Sequence, residues 1–171
     1  MSDFVFHQIE PEFDSSSRVL ILGTIPSPKS REYGFYYMHP QNRFWKLLYD
    51  IFEEPFQDSV ADRKDLIHKK HIALWDVLAS CDIVGASDSS IRNPKANDLS
   101  IILRVSAITH IFVTGKTAEK YYNQLCKPNI KIDCICLPSP SPANCAIKYD
   151  KMLCEYKKIR NCIEEEITSE V

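Results

Sequence analysis

Glycine is scarce in this chain, with 4 in 171 residues, and that scarcity removes several nucleotide-binding designs. A dinucleotide fingerprint needs three glycines in one strand-to-helix turn, and a phosphate-binding loop needs two glycines framing four residues before Lys and Ser or Thr. Gly23 is followed by no glycine before Gly34, and Thr114-Gly115-Lys116-Thr117 has His110 where the upstream glycine would stand. Neither serine-rich loop has the flanking glycines of a hydrolase elbow. Long apolar runs are missing too. None nears the roughly 18 residues of a membrane span, and the start MSDFVFHQIE lacks the basic end and apolar core of a signal peptide. The chain therefore reads as soluble and cytoplasmic. There is no Cys-x-x-Cys pair; the 7 cysteines are odd in number, and a chain of this length needs no staples, so reduced thiols are expected. Cys134 and Cys136, alternating within an apolar run, read as core packing rather than as metal ligands. An excess of charge is also lacking: 21 basic against 23 acidic residues give a net −2, which argues against a protein that coats polyanions without specificity. Charge is nonetheless uneven, with Lys29, Arg31, Arg43 and Lys46 against Glu32 in one stretch, and Glu164, Glu165, Glu166 and Glu170 at the carboxyl end.

What is present is an ordinary globular composition, 44% apolar and 26% charged, in a chain of about one domain's length. Residues 1–171 are expected to form a single domain. Four short β-rich runs have the look of buried parallel strands: 18–24, 71–77, 110–115 and 133–138. Phe44, Trp45, Leu48, Ile51 and Phe52 form the stripe of an amphipathic helix opened by His39-Pro40, and Met152, Tyr156, Ile159, Ile163 and Ile167 form another. Segments 97–105 and 117–125 fill the remaining crossovers as helices. The alternation predicts an α/β fold, a three-layer α/β/α sandwich around a central four-stranded, mainly parallel sheet.

Ligands of such sheets sit at the carboxyl ends of the strands, which makes 23–45, 76–93, 114–117 and 137–144 the informative loops. Ser27, Ser139 and Ser141 are hydroxyl donors suited to phosphate oxygens, or simply parts of rigid Pro-Ser turns. The segment Gly34-Phe-Tyr-Tyr-Met-His-Pro-Gln-Asn-Arg-Phe-Trp45 sets aromatic rings beside basic and amide groups. A flat heterocycle can stack on a tyrosine there while cations meet a phosphate backbone. Phe44 and Trp45 lie on the helix stripe and read as core; Tyr36 and Tyr37 precede it and read as pocket. Asp76, at a strand end, is a candidate for a solvent or base contact.

Gly23-Thr-Ile-Pro-Ser27, Ser30-Arg31 and Tyr36-Tyr-Met-His-Pro-Gln-Asn-Arg-Phe-Trp45 together resemble the first motif of the uracil-DNA glycosylase superfamily, most closely that of its mismatch-specific and hypoxanthine branches. Leu74-Trp-Asp-Val77 with Ser80-Cys81 and Gly85-x-Ser87-Asp88-x-x-Ile91 resembles the second-strand region of the hypoxanthine branch, and Leu137-Pro-Ser-Pro-Ser-Pro-Ala-Asn144 its final motif. The resemblance implies a monofunctional DNA glycosylase that rotates a deaminated base out of the helix and hydrolyses its bond to deoxyribose, hypoxanthine first and uracil as a second substrate. It implies Asn42 as the catalytic, water-orienting residue, although an asparagine there also suits a helix cap. Tyr37 would stack on the base within a wall made by Gly23, Thr24, Pro26 and Ser27. Ser87 and Asp88 would shape the pocket, with Asp88 equally able to cap a following helix. Ser139, Ser141, Pro142 and Asn144, with Arg43, would meet the DNA phosphates, and His39 would order its loop. Where the mismatch-specific branch has a water-positioning Asn this chain has Ile25, and Thr114 stands where the hypoxanthine branch tends to carry Asn. No cofactor and no metal is implied, and no lysine matches a Schiff-base position. The expected partner is single- or double-stranded DNA with a deaminated base, with no membrane, bound by a monomer in a nucleoid or nucleus. The alternatives are a mismatch-type uracil enzyme, a DNA-binding module of the same fold that has lost catalysis, and a small-molecule binding protein.

Overall fold

A computed structural model describes residues 1–170. Four apolar runs, β2 (Val19–Gly23), β3 (Ile72–Asp76), β6 (His110–Thr114) and β7 (Cys134–Leu137), pair in the order β3-β2-β6-β7, all parallel. Every residue of β2 and β3 is buried, as expected of strands covered on both faces. Register aligns their carboxyl ends: Gly23 lies opposite Asp76, Leu22 opposite Val113, and Thr114 opposite Leu137. Because the chain passes from β2 outward to β3 and then back across to β6, the strand order reverses between β2 and β6. A crevice opens at such a switch point.

The helices agree with the sequence at the long elements and depart from it at the short ones. Helix α2 (Phe44–Ile51) buries Phe44, Trp45, Leu47, Leu48 and Ile51 and packs on α7 (Tyr149–Ser169), whose Met152, Tyr156, Ile159 and Ile163 are buried. His39-Pro40 does not open α2; the chain turns first, and the Asn42 side chain accepts the Phe44 N–H at 2.9 Å. Two helices escape the periodicity reading. Helix α1 (Pro28–Tyr33) has Ser27 as its cap, Pro28 in its first turn and left-handed Gly34 at its end. Helix α3 (Val60–Lys69) starts at Ser59, whose hydroxyl accepts the Asp62 N–H. The helix expected over 97–105 shrinks to α4 (Ser100–Leu103), and the one over 117–125 becomes α5 (Lys116–Tyr121), a π turn (Tyr122–Cys126) and α6 (Lys127–Ile130).

A second sheet was not foreseen. Strands β1 (Asp3–Phe6), β4 (Leu78–Val84) and β5 (Ser87–Ala96) form an antiparallel sheet ordered β1-β4-β5, so much of the expected 76–93 loop is a hairpin turning at left-handed Gly85. Strand β5 is mostly polar and contains Pro94; it pairs with β4 through several register shifts. The hairpin tip reaches the carboxyl ends of the parallel strands, where Gly85, Ser87 and Asp88 border the crevice. Cys134 and Cys136 lie half-buried on edge strand β7 rather than in the core, and burial pushes the Cys134 thiol up to about 11. No described helix is long and apolar enough to cross a membrane.

Candidate active site

The crevice at the switch point is a cleft of about 970 Å³, within the range of small-ligand sites. Gly23, Thr24, Pro26 and Ser27 line one wall; Tyr37 and Asn42 stand beside them; Ser87 and Asp88 border it from the hairpin; Ser139, Ser141, Pro142 and Asn144 border it from the last loop. Arg43, alone among the residues singled out from the sequence for pocket and phosphate contact, is not part of its lining.

Tyr37 is fixed from three sides. Its backbone is left-handed, φ 54°, a conformation unfavourable for a bulky side chain and sustained only by its surroundings. Its ring stacks on Phe44 with centroids 3.8 Å apart and planes 18° from parallel. Its hydroxyl is 3.0 Å from Thr114 Oγ1, while buried Ser30 accepts the N–H of the next residue, Met38, at 3.1 Å. Burial, with the charge of Asp76 added, raises the Tyr37 hydroxyl pKa, and the phenol stays protonated. The adjacent Tyr36 was expected in the pocket, but it is a core residue at the cleft's base: it is 2% exposed and donates to the Glu10 carbonyl at 2.7 Å. Thr114, where an asparagine was looked for, acts here by anchoring Tyr37.

Asn42 is half-buried at the rim of α2. With Oδ1 taken up by the Phe44 N–H, the amide plane is fixed and Nδ2 remains available. The N-cap of α2 is Arg43; Asn42, one residue before it, holds the first helical N–H while its amide borders the cleft, so the two roles treated as alternatives from sequence are compatible in one geometry. Arg43 is engaged within the protein. Its guanidinium donates to the Asn144 carbonyl at 2.7 Å and the Ile147 carbonyl at 2.8 Å, so it pins the 139–147 loop onto α2. That loop is also internally tied: Asn144 Nδ2 donates to the Ser139 carbonyl at 2.9 Å, and Ser139 and Ser141 accept the N–H groups of Ser141 and Ala143. Ser27 caps α1 and donates to Ser30 Oγ at 3.2 Å. Gln41 N–H donates to His39 Nδ1 at 3.1 Å, which orders the loop.

Asp88 caps no helix, since β5 continues through it. It is an exposed residue on the cleft border, where desolvation by the nearby protein raises its carboxyl pKa and Thr117 opposes the rise. Lys116 borders the cleft but pairs with Glu119 at 3.2 Å; that bond raises the ammonium pKa, the reverse of the depressed pKa a nucleophilic lysine needs.

One feature gave no sequence signal. His7, just past β1, places Nε2 2.7 Å from Asp76 Oδ2, and their side chains are only 3% and 6% exposed. The two are 69 residues apart in the chain. Asp76 was a candidate from its strand end; His7 was not, because only the unforeseen antiparallel sheet brings β1 to that end. Asn97 holds the same corner, donating from Nδ2 to the carbonyls of Asp76 and Leu78.

Residues 10–162 match the profile of the Uracil DNA glycosylase superfamily. A protein named "Hypoxanthine DNA glycosylase" from Methanosarcina acetivorans is 32% identical over 133 residues, which is 77% of this chain and 83% of that protein. One of the same name from Methanosarcina barkeri is 31% identical over 113 residues, covering 65% and 72%. The solution NMR structure of a candidate uracil DNA glycosylase from M. acetivorans superposes with a TM-score of 0.75 at 25% identity, covering 92% of this chain and 99% of the other. The ordered motifs around the cleft, the parallel sheet beneath them and these likenesses agree: the chain belongs to the uracil-DNA glycosylase superfamily.

Proposed function

We propose that this protein is a monofunctional DNA glycosylase that starts base excision repair by removing deaminated bases, with hypoxanthine its first substrate and uracil a second. The observation that carries the reading is that Tyr37, stacked on Phe44, and Asn42, with its amide locked by the Phe44 N–H, share one cleft at the switch point. The names of the two Methanosarcina relatives favour hypoxanthine over uracil as the primary base.

In this reading the nucleotide leaves the duplex, at a cost that is smallest for a mispaired base, and its base enters the cleft against Tyr37. Water held by Asn42 attacks C1′. The bond from C1′ to the base nitrogen breaks, its electron pair leaves with the base, and the proton that the water gives up to solvent is balanced by the one the departing base takes up as the abasic sugar forms. The DNA phosphates stabilise the positive charge that develops on the sugar. Ser139, Ser141, Pro142 and Asn144 receive the flanking phosphates on a loop whose shape is set in advance by Arg43. No lysine stands at a Schiff-base position, so the reaction ends at the abasic site without strand cleavage.

The test is excision from end-labelled duplexes carrying one hypoxanthine, uracil or unmodified base, with alkali to reveal abasic sites and chelator present throughout. Cleavage at hypoxanthine that is lost in Asn42→Ala, with duplex binding retained, is the expected result. Cleavage at uracil alone would move the protein to the mismatch-type branch. A protein that binds damaged duplex and excises nothing would be a binding module, with Ile25 as the first position to examine.

A further inference from the structure

We infer that Asp76, positioned by His7, is the acceptor that reads the ring N–H of the extruded base and so separates deaminated bases from adenine and cytosine; this rests on the glycosylase reading of the cleft. Deamination of adenine or cytosine changes the pairing edge in one consistent way. A ring nitrogen that presented a lone pair, N1 of adenine or N3 of cytosine, becomes an N–H donor in hypoxanthine or uracil. A side chain that can only accept hydrogen bonds distinguishes the two states.

Asp76 has the placement for this. It ends β3 directly opposite Gly23, lines the cleft floor and has a side chain only 6% exposed. Oδ2 is occupied by His7 at 2.7 Å. Oδ1 has no hydrogen-bond partner among the described residues; it points at Gly23, so close that a Cβ there would lie 2.6 Å from it and 3.2 Å from the Tyr37 hydroxyl. The free oxygen thus sits beside the ring on which the base stacks. Oδ1 stays within reach of solvent from the cleft, and a base N–H entering there becomes its donor. An adenine or cytosine in the same pose sets a lone pair against a carboxylate. Guanine carries the same N1–H as hypoxanthine, so its rejection falls to the higher cost of extruding a fully paired base.

His7 acts through Asp76. A carboxylate only accepts, so the hydrogen between them is on Nε2, and this bond aims the carboxylate. The same N–H offsets negative charge that would otherwise oppose the charge developing on the departing base. His7 is therefore a positioning residue whose loss lowers kcat more than it raises KM.

The experiment compares duplexes with hypoxanthine and with 1-methylhypoxanthine, which lacks the N1–H, each on a 2′-fluorinated sugar that resists cleavage, by fluorescence anisotropy. Wild type is expected to prefer the N1–H base by about 10- to 100-fold, the range of a hydrogen bond to a charged group. Asp76→Asn keeps the shape and can still accept from His7, but turns an amide N–H toward the cleft; with Asp76→Ala it should bring the ratio near one. His7→Ala should lower the ratio in part and slow excision of cleavable hypoxanthine, and His7→Gln, which keeps an N–H donor, should recover both. Thermal unfolding of each variant shows that it is folded. A wild type with no preference, or an Asp76→Asn variant that keeps the full preference, overturns the inference. If wild type excises hypoxanthine and Asp76→Asn retains its ratio, the glycosylase reading stands and this one falls. If wild type excises nothing yet shows an Asp76-dependent ratio, the opposite holds.

Discussion

Replacing Gly23 by alanine is the sharpest structural test of the cleft. The added Cβ would lie 2.6 Å from Asp76 Oδ1, 3.2 Å from the Tyr37 hydroxyl and 3.6 Å from Thr114 Oγ1, and real Cβ atoms essentially never come closer than 3.0 Å to a neighbour. The carboxylate must retreat by several tenths of an ångström, and it is backed by His7 at 2.7 Å. Overpacking of a rigid site costs about 1–3 kcal/mol. Opposing this, alanine restricts the unfolded chain and returns about 0.4–1 kcal/mol where the backbone accepts it, as it does here, because Gly23 is not among the left-handed glycines. The net expectation is a loss of about 0.5–2 kcal/mol, read as a lower Tm at about 2–4 °C per kcal/mol for a chain of this size. Excision should fall by more than the stability loss explains, about 100-fold, because Asp76 and Tyr37 are both displaced at the reacting base. Paired with Asp76→Ala the clash has no partner, so the two substitutions should couple by about 1 kcal/mol or more in thermal unfolding. A Gly23→Ala protein that unfolds at the wild-type temperature and keeps its excision rate would refute the crowding argument and the site geometry built on it.

Asn42 serves two functions that can be separated: Asn42→Ala should lose about 1 kcal/mol of stability with its hydrogen bond to the Phe44 N–H as well as excision, whereas Asn42→Asp should keep that bond and unfold near wild type, so that only its single-turnover rate reports on catalysis. Arg43→Met should free the Asn144 and Ile147 carbonyls, accelerate amide exchange across 139–147 and weaken DNA binding. The slope of log affinity against log salt should not change, because a phosphate ligand would lower it by about one charge and a loop pin does not. Asp88 supplies a pH test. Its folded pKa is raised by desolvation, so ionisation opposes folding: the penalty is absent below the unfolded pKa, where both states are protonated, and is fully present above the folded one. Asp88→Asn should therefore unfold at a higher temperature than wild type near pH 7, with the gap closing on acidification through the carboxylate range; a gap that widens toward acid would contradict the sign.

What could be read in the sequence was what is local to it. The strands β2, β3 and β6 announce themselves because a strand buried on both faces has almost nothing polar to dilute the run, and their carboxyl ends identify the loops. The cleft motifs lie in those loops, so Tyr37 and the Ser139 and Ser141 hydroxyls stood out by residue type and position, and Asn42 by the resemblance to the superfamily. Strand β5 could not, since Ser87–Ala96 is mostly polar with a proline, and only its pairing with β4 makes it a strand. The separate fates of Tyr36 and Tyr37 were equally hidden. Adjacent and alike, they are divided by a left-handed backbone at Tyr37 that no propensity favours for an aromatic residue.

The residues that steady this cleft come from far away in the chain. Arg43 spends its donors on carbonyls 101 and 104 residues downstream, Tyr37 leans on Thr114 77 residues away, and Asp76 is backed by His7 from the other sheet. None of these pairs has a sequence signature, because each depends on strand register rather than on neighbours. That division has a chemical reason. A group that meets a base must sit at the strand ends or on the loops beyond them, while a group that holds it still comes from the rigid elements beneath or beside it, since a small displacement at the reacting atoms costs orders of magnitude in rate. Substitutions at His7, Thr114 and Arg43 should accordingly change rate and loop order through the contacts these residues make within the protein.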